Sequence, residues 1–190
     1  MENIGTYQID KNIILEKAYD LMCVFFADKE ISRKSNPDDV QEPLKSLQNL
    51  FFYSKASRLL IELAVSLRVI DDQMKALPDE DQSKQEYIKA MTEVNNFDFG
   101  LFDDINLTFR DTCNKIIHSD ILELHVSTGI ESHEYDYNYQ YGDSTKKTID
   151  WEHYNGLVRL HGFEFKKEWY VLLDVEIFIR AIYKMFGGCI

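Results

Sequence analysis

Residues 44–77 read LKSLQNLFFYSKASRLLIELAVSLRVIDDQMKAL, and their pattern is the strongest indication of the fold class. Apolar residues recur along it at helical spacing, which predicts one long helix. One side is dominated by six residues: Leu47, Leu50, Phe51, Ile61, Ala64 and Val65. Five further residues widen the apolar stripe: Leu59, Leu60, Leu63, Leu67 and Ile70. A helix that is apolar over so much of its circumference is expected at the centre of the core.

Helical patterns flank this stretch on both sides. Asp10 is a suitable N-cap for a first helix, whose apolar residues recur to about Asp28. The polar stretch Ser32–Pro43 contains two of the three prolines and predicts a loop. A shorter helix is expected over Ser83–Val94, and a closing helix over Val175–Phe186, which two glycines follow. Between them, after a break at 95–100, Asp103 or Asp104 can cap a helix that reaches His118.

The sequence after His118 predicts β-structure. Ile121–Ser127 has the composition of a strand, and Glu134–Tyr141 alternates tyrosine with polar residues. Leu157–Phe165 and Trp169–Asp174 predict a hairpin around Lys166-Lys167. The expected fold is therefore mainly α, a helical bundle with a β-hairpin or small antiparallel sheet inserted before the C-terminal helix. We expect a single domain over residues 1–190, with a β-strand and tyrosine-rich insertion at about 121–174.

The composition is that of an ordinary globular protein. A hydrophobic content of 45% and a charged content of 28% argue against wholesale disorder. The most apolar run, Leu59–Ile70, contains Glu62 and Arg68 and is shorter than the ~20 residues that a membrane crossing requires. Neither a membrane segment nor an N-terminal targeting segment is predicted. The cysteines favour a reducing, cytoplasmic location, because they are widely spaced and form no CxxC pair: Cys23, Cys113 and Cys189.

The charge of the chain bears on its partners. The formal net charge of −12 comes from 33 acidic and 21 basic side chains. Counterion release drives non-specific nucleic-acid binding, so a protein that relies on it normally carries a basic face. The basic residues here form only short pairs, such as Lys146-Lys147 and Lys166-Lys167. Any contact with nucleic acid is expected to be local or to require help from a partner.

The segment Arg110-Asp111-Thr112-Cys113-Asn114-Lys115-Ile116-Ile117-His118 carries most of the functional information. On a helix with about 100° per residue, one broad side is apolar and is expected to be buried. That side carries Ile105, Phe109, Cys113, Ile116 and Ile117. The opposite arc is polar and is expected to form one continuous accessible surface: Arg110, Asp111, Asn114 and His118. Arg110, Asn114 and His118 stand at i, i+4 and i+8, so they line one edge of the helix.

This segment resembles the motif of the HEPN superfamily, helical bundles with an arginine, a polar residue and a histidine on a late helix. Seven residues separate Arg110 from His118, where the family motif usually has four to six. Many members are metal-independent ribonucleases of toxin–antitoxin, phage-defence and RNA-processing systems. The resemblance implies a metal-independent endoribonuclease with no cofactor and no metal, acting on RNA in the cytoplasm.

The resemblance also implies a role for each residue of the motif. His118 is the acid/base catalyst, since a histidine with a pKa near neutral can transfer a proton to or from the ribose 2′-hydroxyl. Arg110 or Lys115 is the phosphate ligand, and Asn114 orients either group by hydrogen bonding. Asp111 and Lys115 are the flanking substrate-binding residues. Because Arg110 and His118 lie about 12 Å apart along a helix, a composite site is expected in a two-fold homodimer built around Asn114.

Other readings stay open. The polar arc is equally typical of the solvated face of an amphipathic helix, with His118 favoured near the C-terminus by the helix dipole. A catalytically inactive HEPN-like helical module that binds a protein partner, or an antitoxin, is the alternative function. The alternating tyrosines of 135–141 suit a protein contact better than base stacking, because acidic residues surround them. The remaining histidines show no metal-ligand spacing: His125, His133, His153 and His161.

Overall fold

The computed structural model describes residues 10–35, 42–102, 105–134, 146–164 and 166–187. Within these ranges the chain forms five helices: α1 (Lys11–Lys34), α2 (Pro43–Ala76), α3 (Gln82–Val94), α4 (Phe109–Ile117) and α5 (Val175–Phe186). The strands are β1 (Leu101–Phe102), β2 (Ile105–Asn106), β3 (Ile121–Glu134), β4 (Lys146–Glu164) and β5 (Lys167–Asp174). The described residues contain no helix that is long and apolar enough to cross a membrane.

The strands form two antiparallel sheets. Strands β1 and β2 make a two-residue ribbon, and β3, β4 and β5 form a sheet with β4 in the centre. The β4–β5 hairpin turns at Lys166, which has a positive φ of 68°. The predicted fold class, mainly α with a small antiparallel sheet before the C-terminal helix, is therefore confirmed. The alternating tyrosines of the predicted strand 134–141 lie outside the described residues, apart from Glu134 at the end of β3.

Most helix bounds follow the sequence patterns closely. The side chain of Asp10 caps α1 by accepting from the amide of Asn12 at 2.8 Å. Helix α1 continues to Lys34, so the predicted loop over Ser32–Pro43 starts too early. Helices α2, α3 and α5 begin and end within a residue of their predicted bounds.

The predicted start of the fourth helix is wrong. That helix begins at Phe109, with Thr108 as its N-cap, instead of near Asp103 or Asp104. Ile105 lies in β2, because the ribbon turns the chain back before the helix starts. Gly100 has a φ of +94°, a conformation that glycine adopts at little cost, and its carbonyl accepts from the amide of Leu107 at 3.0 Å. The predicted continuous helix 105–118 is thus replaced by a ribbon and a nine-residue helix.

Helix α2 is central to the core, as predicted, and only one side of its wide apolar stripe is buried. The buried side is the set that widens the stripe, Leu59, Leu60, Leu63, Leu67 and Ile70 together with Ala64. The set that dominates the sequence pattern is mostly exposed: Leu47, Leu50, Phe51, Ile61 and Val65. The apolar residues of this helix therefore form two faces, and only one of the two contacts the core. Helix α2 packs on α1, α4 and α3, and Phe52 on its core side contacts Tyr154 of β4.

A buried carboxylate joins the helices to the sheet. Asp28 of α1 is only 1% exposed. Its Oδ2 accepts from the backbone amide of Tyr154 at 2.8 Å, next to the register shift between Leu124 and Val126. The amide of Gln48 in α2 donates to the other carboxylate oxygen. One side chain thus ties α1, α2 and β4 together, and the ring of Tyr154 stacks on that of Phe52 at 4.5 Å.

A second buried carboxylate positions α4. Asp71 of α2 accepts from Lys75 at 2.9 Å, from the hydroxyl of Tyr87 in α3 at 2.9 Å, and from Arg68 at 3.3 Å. It also forms an ion pair with Arg110 of α4. Because an unpaired buried charge is very costly, these four donors and Asp71 hold three helices in a fixed arrangement. We call these five residues the Asp71 network.

We expect Asp28 to make stability depend on pH. Burial raises the pKa of Asp28, although hydrogen bonds from Tyr154 and Gln48 oppose this shift. The folded state therefore binds a proton at a higher pH than the unfolded chain, and this group adds stability as the pH falls through its folded pKa. Relative to an Asp28→Asn variant, the wild type should gain stability as the pH falls from neutral toward the ordinary aspartate pKa of about 4. Urea unfolding at several pH values measures the difference, and parallel curves for the two proteins would contradict the expectation.

The Asp71 network predicts a contrast between two neighbouring acids. Both Asp71 and Asp72 pair with Arg68 and Arg110, but the Asp71 side chain is 5% exposed and that of Asp72 is 57% exposed. Asp71→Ala should lower the free energy of unfolding by about 1–3 kcal/mol, because it removes the buried acceptor of the Tyr87 hydroxyl together with its ion pairs. The matched change Asp72→Ala should cost less than about 1 kcal/mol, because an exposed pair is screened by water. Denaturant unfolding measures both, and equal losses would show that burial is not the deciding factor.

Candidate functional site

An open groove of about 1040 Å³ runs along α4. Its walls are α4, the β1–β2 ribbon and the tip of the β4–β5 hairpin, with Arg68 of α2 at one end. Four residues of the sequence motif reach it: Asp111, Asn114, Lys115 and His118. Three aromatic side chains line it as well: Phe102, Phe163 and Trp169. We call this cleft the α4 groove.

The hairpin reaches the C-terminus of α4 because of one glycine. A Cβ on Gly162 would lie 2.8 Å from the carbonyl oxygen of His118 and 2.3 Å from the ring of Trp169. A side chain there would therefore push the hairpin away from the helix. The amide of Asp120 donates to the carbonyl of His161 at 2.8 Å, which completes the contact. Close backbone packing thus holds the hairpin, which carries Phe163 and Glu164, against the end of α4.

Asp111 serves mainly to start the helix. Its amide donates to the hydroxyl oxygen of Thr108 at 3.2 Å, and its carboxylate accepts from the Thr108 amide at 3.3 Å. This reciprocal pair is a capping box, which satisfies amides that the first turn leaves without partners. Asn95 adds a third contact by accepting from the amide of Phe109 at 3.0 Å. Asp111 lines the α4 groove, but its carboxylate is already engaged.

Asn114 and His118 lie together, as the helix pattern predicts. Asn114 is half-buried, and His118 is the C-cap residue of α4 with an exposed side chain. Both line the α4 groove. The apolar side of the helix is also as predicted for Phe109, Cys113 and Ile116, which are buried, whereas Ile117 is only half-buried.

Arg110 departs from the expected surface. It lines a separate cavity of about 400 Å³ between α2, α3 and α4 and does not line the α4 groove. One guanidinium nitrogen pairs with Asp71, and the other lies 2.9 Å from Asp72. Burial and the neighbouring Arg68 lower the pKa of Arg110, although a guanidinium stays charged at any physiological pH. Arg110 therefore borders a different cavity from Asn114 and His118, because Asp71 and Asp72 hold its guanidinium there.

Lys115 is enclosed within the α4 groove. Its ammonium lies 3.1 Å from a carboxylate oxygen of Glu164. It also lies 3.5 Å from the centre of the Phe102 ring and 4.4 Å from that of Trp169, which gives two cation–π contacts. Only 13% of the side chain is exposed. Lys115 therefore connects the hairpin and the ribbon to α4. Its positive charge is engaged by Glu164 and by the two aromatic rings.

The charges of the α4 groove favour cations over anions. Two basic side chains line it, Arg68 and Lys115, against three carboxylates, Asp111, Asp120 and Glu164. Both basic groups are paired, because Arg68 contacts Asp71 and Asp72 within 3.3 Å. A phosphate that entered the α4 groove would have to displace a carboxylate from each cation. The excess of acidic side chains matches the net charge of −12 for the whole chain.

Two thirds of the α4 groove lining could not be located from the motif. Only the hairpin pattern around Lys166-Lys167 pointed to one of its other walls. The lining residues outside the motif are Arg68, Phe102, Asn106, Leu107, Asp120, Phe163, Glu164 and Trp169. Over the described ranges, no group of three His, Cys, Asp or Glu side chains could hold a metal ion. Cys113 is not a nucleophile either, because burial raises the pKa of its thiol to about 12.

The chain has no close likeness among known proteins. No protein-family model matches it, and no curated protein or solved structure is significantly similar to it. The α4 groove and its contacts are therefore the basis on which a function is argued.

Proposed function

We propose that this protein is a catalytically inactive HEPN-like helical module that binds a protein partner through the α4 groove. One observation carries the proposal: each basic residue of the motif is already paired inside the protein. Arg110 contacts Asp71 and Asp72, and Lys115 contacts Glu164 and two aromatic rings. Neither side chain is free to bind a phosphate, which is the task that ribonuclease chemistry would give it.

The lining of the α4 groove supports a basic and apolar protein segment as the ligand. Asp120 is exposed and lines the α4 groove, where its carboxylate is the acidic group that a ligand would meet. Phe163 is 65% exposed, so it offers an apolar surface in the same groove. Lysine or arginine side chains would complement Asp120, and an aliphatic or aromatic side chain would cover Phe163.

This proposal predicts a preference for a basic peptide over RNA. A labelled peptide of alternating lysine and leucine should bind the protein with a salt-dependent affinity, whereas an oligouridylate of similar length should not bind. Asp120→Lys should weaken peptide binding about 5- to 10-fold, equivalent to about 1 kcal/mol. Asp20→Lys, at an exposed site on α1, is the matched control and should have little effect. Fluorescence anisotropy measures each affinity.

The peptide test can also reject the proposal. Phe163→Ala removes an exposed ring and should weaken peptide binding without loss of the fold. Binding that responds equally to Asp20→Lys and Asp120→Lys would reflect net charge alone. Tight binding of the oligouridylate, reduced by changes in the α4 groove, would contradict the preference for a cationic ligand.

A metal-independent ribonuclease of a toxin–antitoxin or phage-defence system is the second candidate. The observation that favours it is the shared position of Asn114 and His118 in the α4 groove, with the side chain of His118 exposed to a substrate. In that reading the protein acts on RNA in the cytoplasm, as a homodimer built around Asn114. The pairing of Arg110 with two aspartates weighs against it, since that residue would supply the phosphate ligand.

RNA cleavage in EDTA separates the two candidates. We expect no cleavage above background by the purified protein, and none by His118→Ala. Cleavage by the wild type that falls about 100-fold or more in His118→Ala would instead support general acid–base catalysis by that histidine. His161→Ala, a histidine on the sheet paired with Glu123, is the matched control and should retain any such activity.

A further inference from the structure

The exposed face of α2 carries a regular apolar seam. Its positions alternate in spacing between three and four residues: Leu44, Leu47, Phe51, Ser54, Arg58, Ile61 and Val65. On a helix with about 100° per residue, these positions lie about 180° from the buried leucines of α2. All seven are exposed, and Phe51 has 58% of its surface accessible. We call these seven residues the α2 seam. It points directly away from the body of the protein.

The spacing of the α2 seam is that of a coiled coil. Apolar residues that repeat every 3.5 residues on average keep one line of side chains facing a partner helix over several turns. A solvated helix face has no need for such a repeat, and exposed apolar patches of this extent mark binding surfaces. We propose that the α2 seam pairs with the same seam of a second copy, with the two helices antiparallel, to form a homodimer. This inference does not depend on the proposed function of the α4 groove.

The apolar area is sufficient for a specific dimer. Seven apolar residues contribute: Leu44, Leu47, Phe51, Ile61 and Val65 of the seam, with Leu50 and Val69 beside it. If a fully exposed side chain of this kind offers about 150–200 Å², their exposed fractions amount to roughly 600 Å² per copy. Two copies would bury about 1,200 Å² before any flanking polar group is counted, which is the lower limit of specific interfaces.

The pattern of the α2 seam selects the antiparallel arrangement. With a two-fold axis near Ala56, Phe51 faces Ile61 of the partner subunit, and Leu47 faces the partner's Val65. Ser54 then faces the partner's Arg58, so a small side chain meets a long one at the centre. In a parallel pair, each Arg58 would instead face the partner's Arg58, and like charges in contact are unfavourable.

The antiparallel register also accommodates the charge of Arg58. Its guanidinium lies 3.9 Å from Glu62 of the same helix, so a carboxylate is at hand to offset part of its charge in the interface. Glu62 is in turn held by Lys17 of α1. Apolar residues thus meet apolar residues on both sides of a polar centre, and the α2 seam is complementary to itself. A surface that complements itself about a two-fold axis closes at two copies.

Sedimentation equilibrium of the full chain tests the dimer. The wild type should sediment as a dimer at micromolar concentration, and Phe51→Glu and Ile61→Lys should each give a monomer with an unchanged helical circular dichroism spectrum. Phe26→Glu is the matched control, because Phe26 is an equally exposed phenylalanine on α1 and should leave the dimer intact. A monomeric wild type would overturn the proposal, and so would a dimer that survives both changes in the seam.

A double variant tests the orientation of the two helices. Phe51→Glu combined with Ile61→Lys should restore the dimer, because an antiparallel pair places each Glu side chain opposite the partner's Lys side chain. The restored dimer should dissociate as the ionic strength rises, since its new contacts are ionic. In a parallel pair the same double change would set like charges against each other. A double variant that stays monomeric at low salt would therefore overturn the antiparallel register.

Discussion

The carboxylate of Asp71 is the contact on which the arrangement of the helices around the candidate site depends. It lies on the core side of α2, accepts from Arg68, Lys75 and Tyr87, and forms an ion pair with Arg110, so three helices share one buried anion. A buried carboxylate is stable only when it is paired and hydrogen bonded, which means that none of these donors can leave at low cost. The position of α4 follows from this requirement, and so does the direction in which Arg110 points.

Once Arg110 is held by aspartates, α4 can offer only its other polar residues to a ligand. The hairpin approaches through Gly162, and Lys115 fastens it by contacts with Glu164, Phe102 and Trp169. Arg110 and Lys115, which suggest phosphate binding in the sequence, therefore form ion pairs that hold the fold together. What remains accessible is a cleft with aromatic walls and an acidic rim, which suits a cationic protein segment better than a polyanion.

Helix α2 has a double role because it is apolar on two opposite faces. One face fills the core between the other helices and the sheet, where Asp28 secures α1 and β4. The other face carries the α2 seam, whose repeat of 3.5 residues is typical of helix pairing. A single amphipathic stripe would need only the first face. The length of α2, 34 residues, gives the second face enough turns to form an interface of its own.

Local periodicity, caps and turn residues were enough to predict the five helices of the described ranges, the bounds of α2, α3 and α5, the hairpin at Lys166 and the fold class. Helical spacing, which is also local, was enough to place Asn114 and His118 on one side of α4. Long-range contacts set which face of α2 is buried, that Thr108 starts α4, and that Arg110 pairs with Asp71. Each of these features depends on residues that are far apart in the chain. A buried charge needs a partner from another helix, and the hairpin packs on α4 only where Gly162 leaves room. Neither requirement can be read from a local sequence pattern.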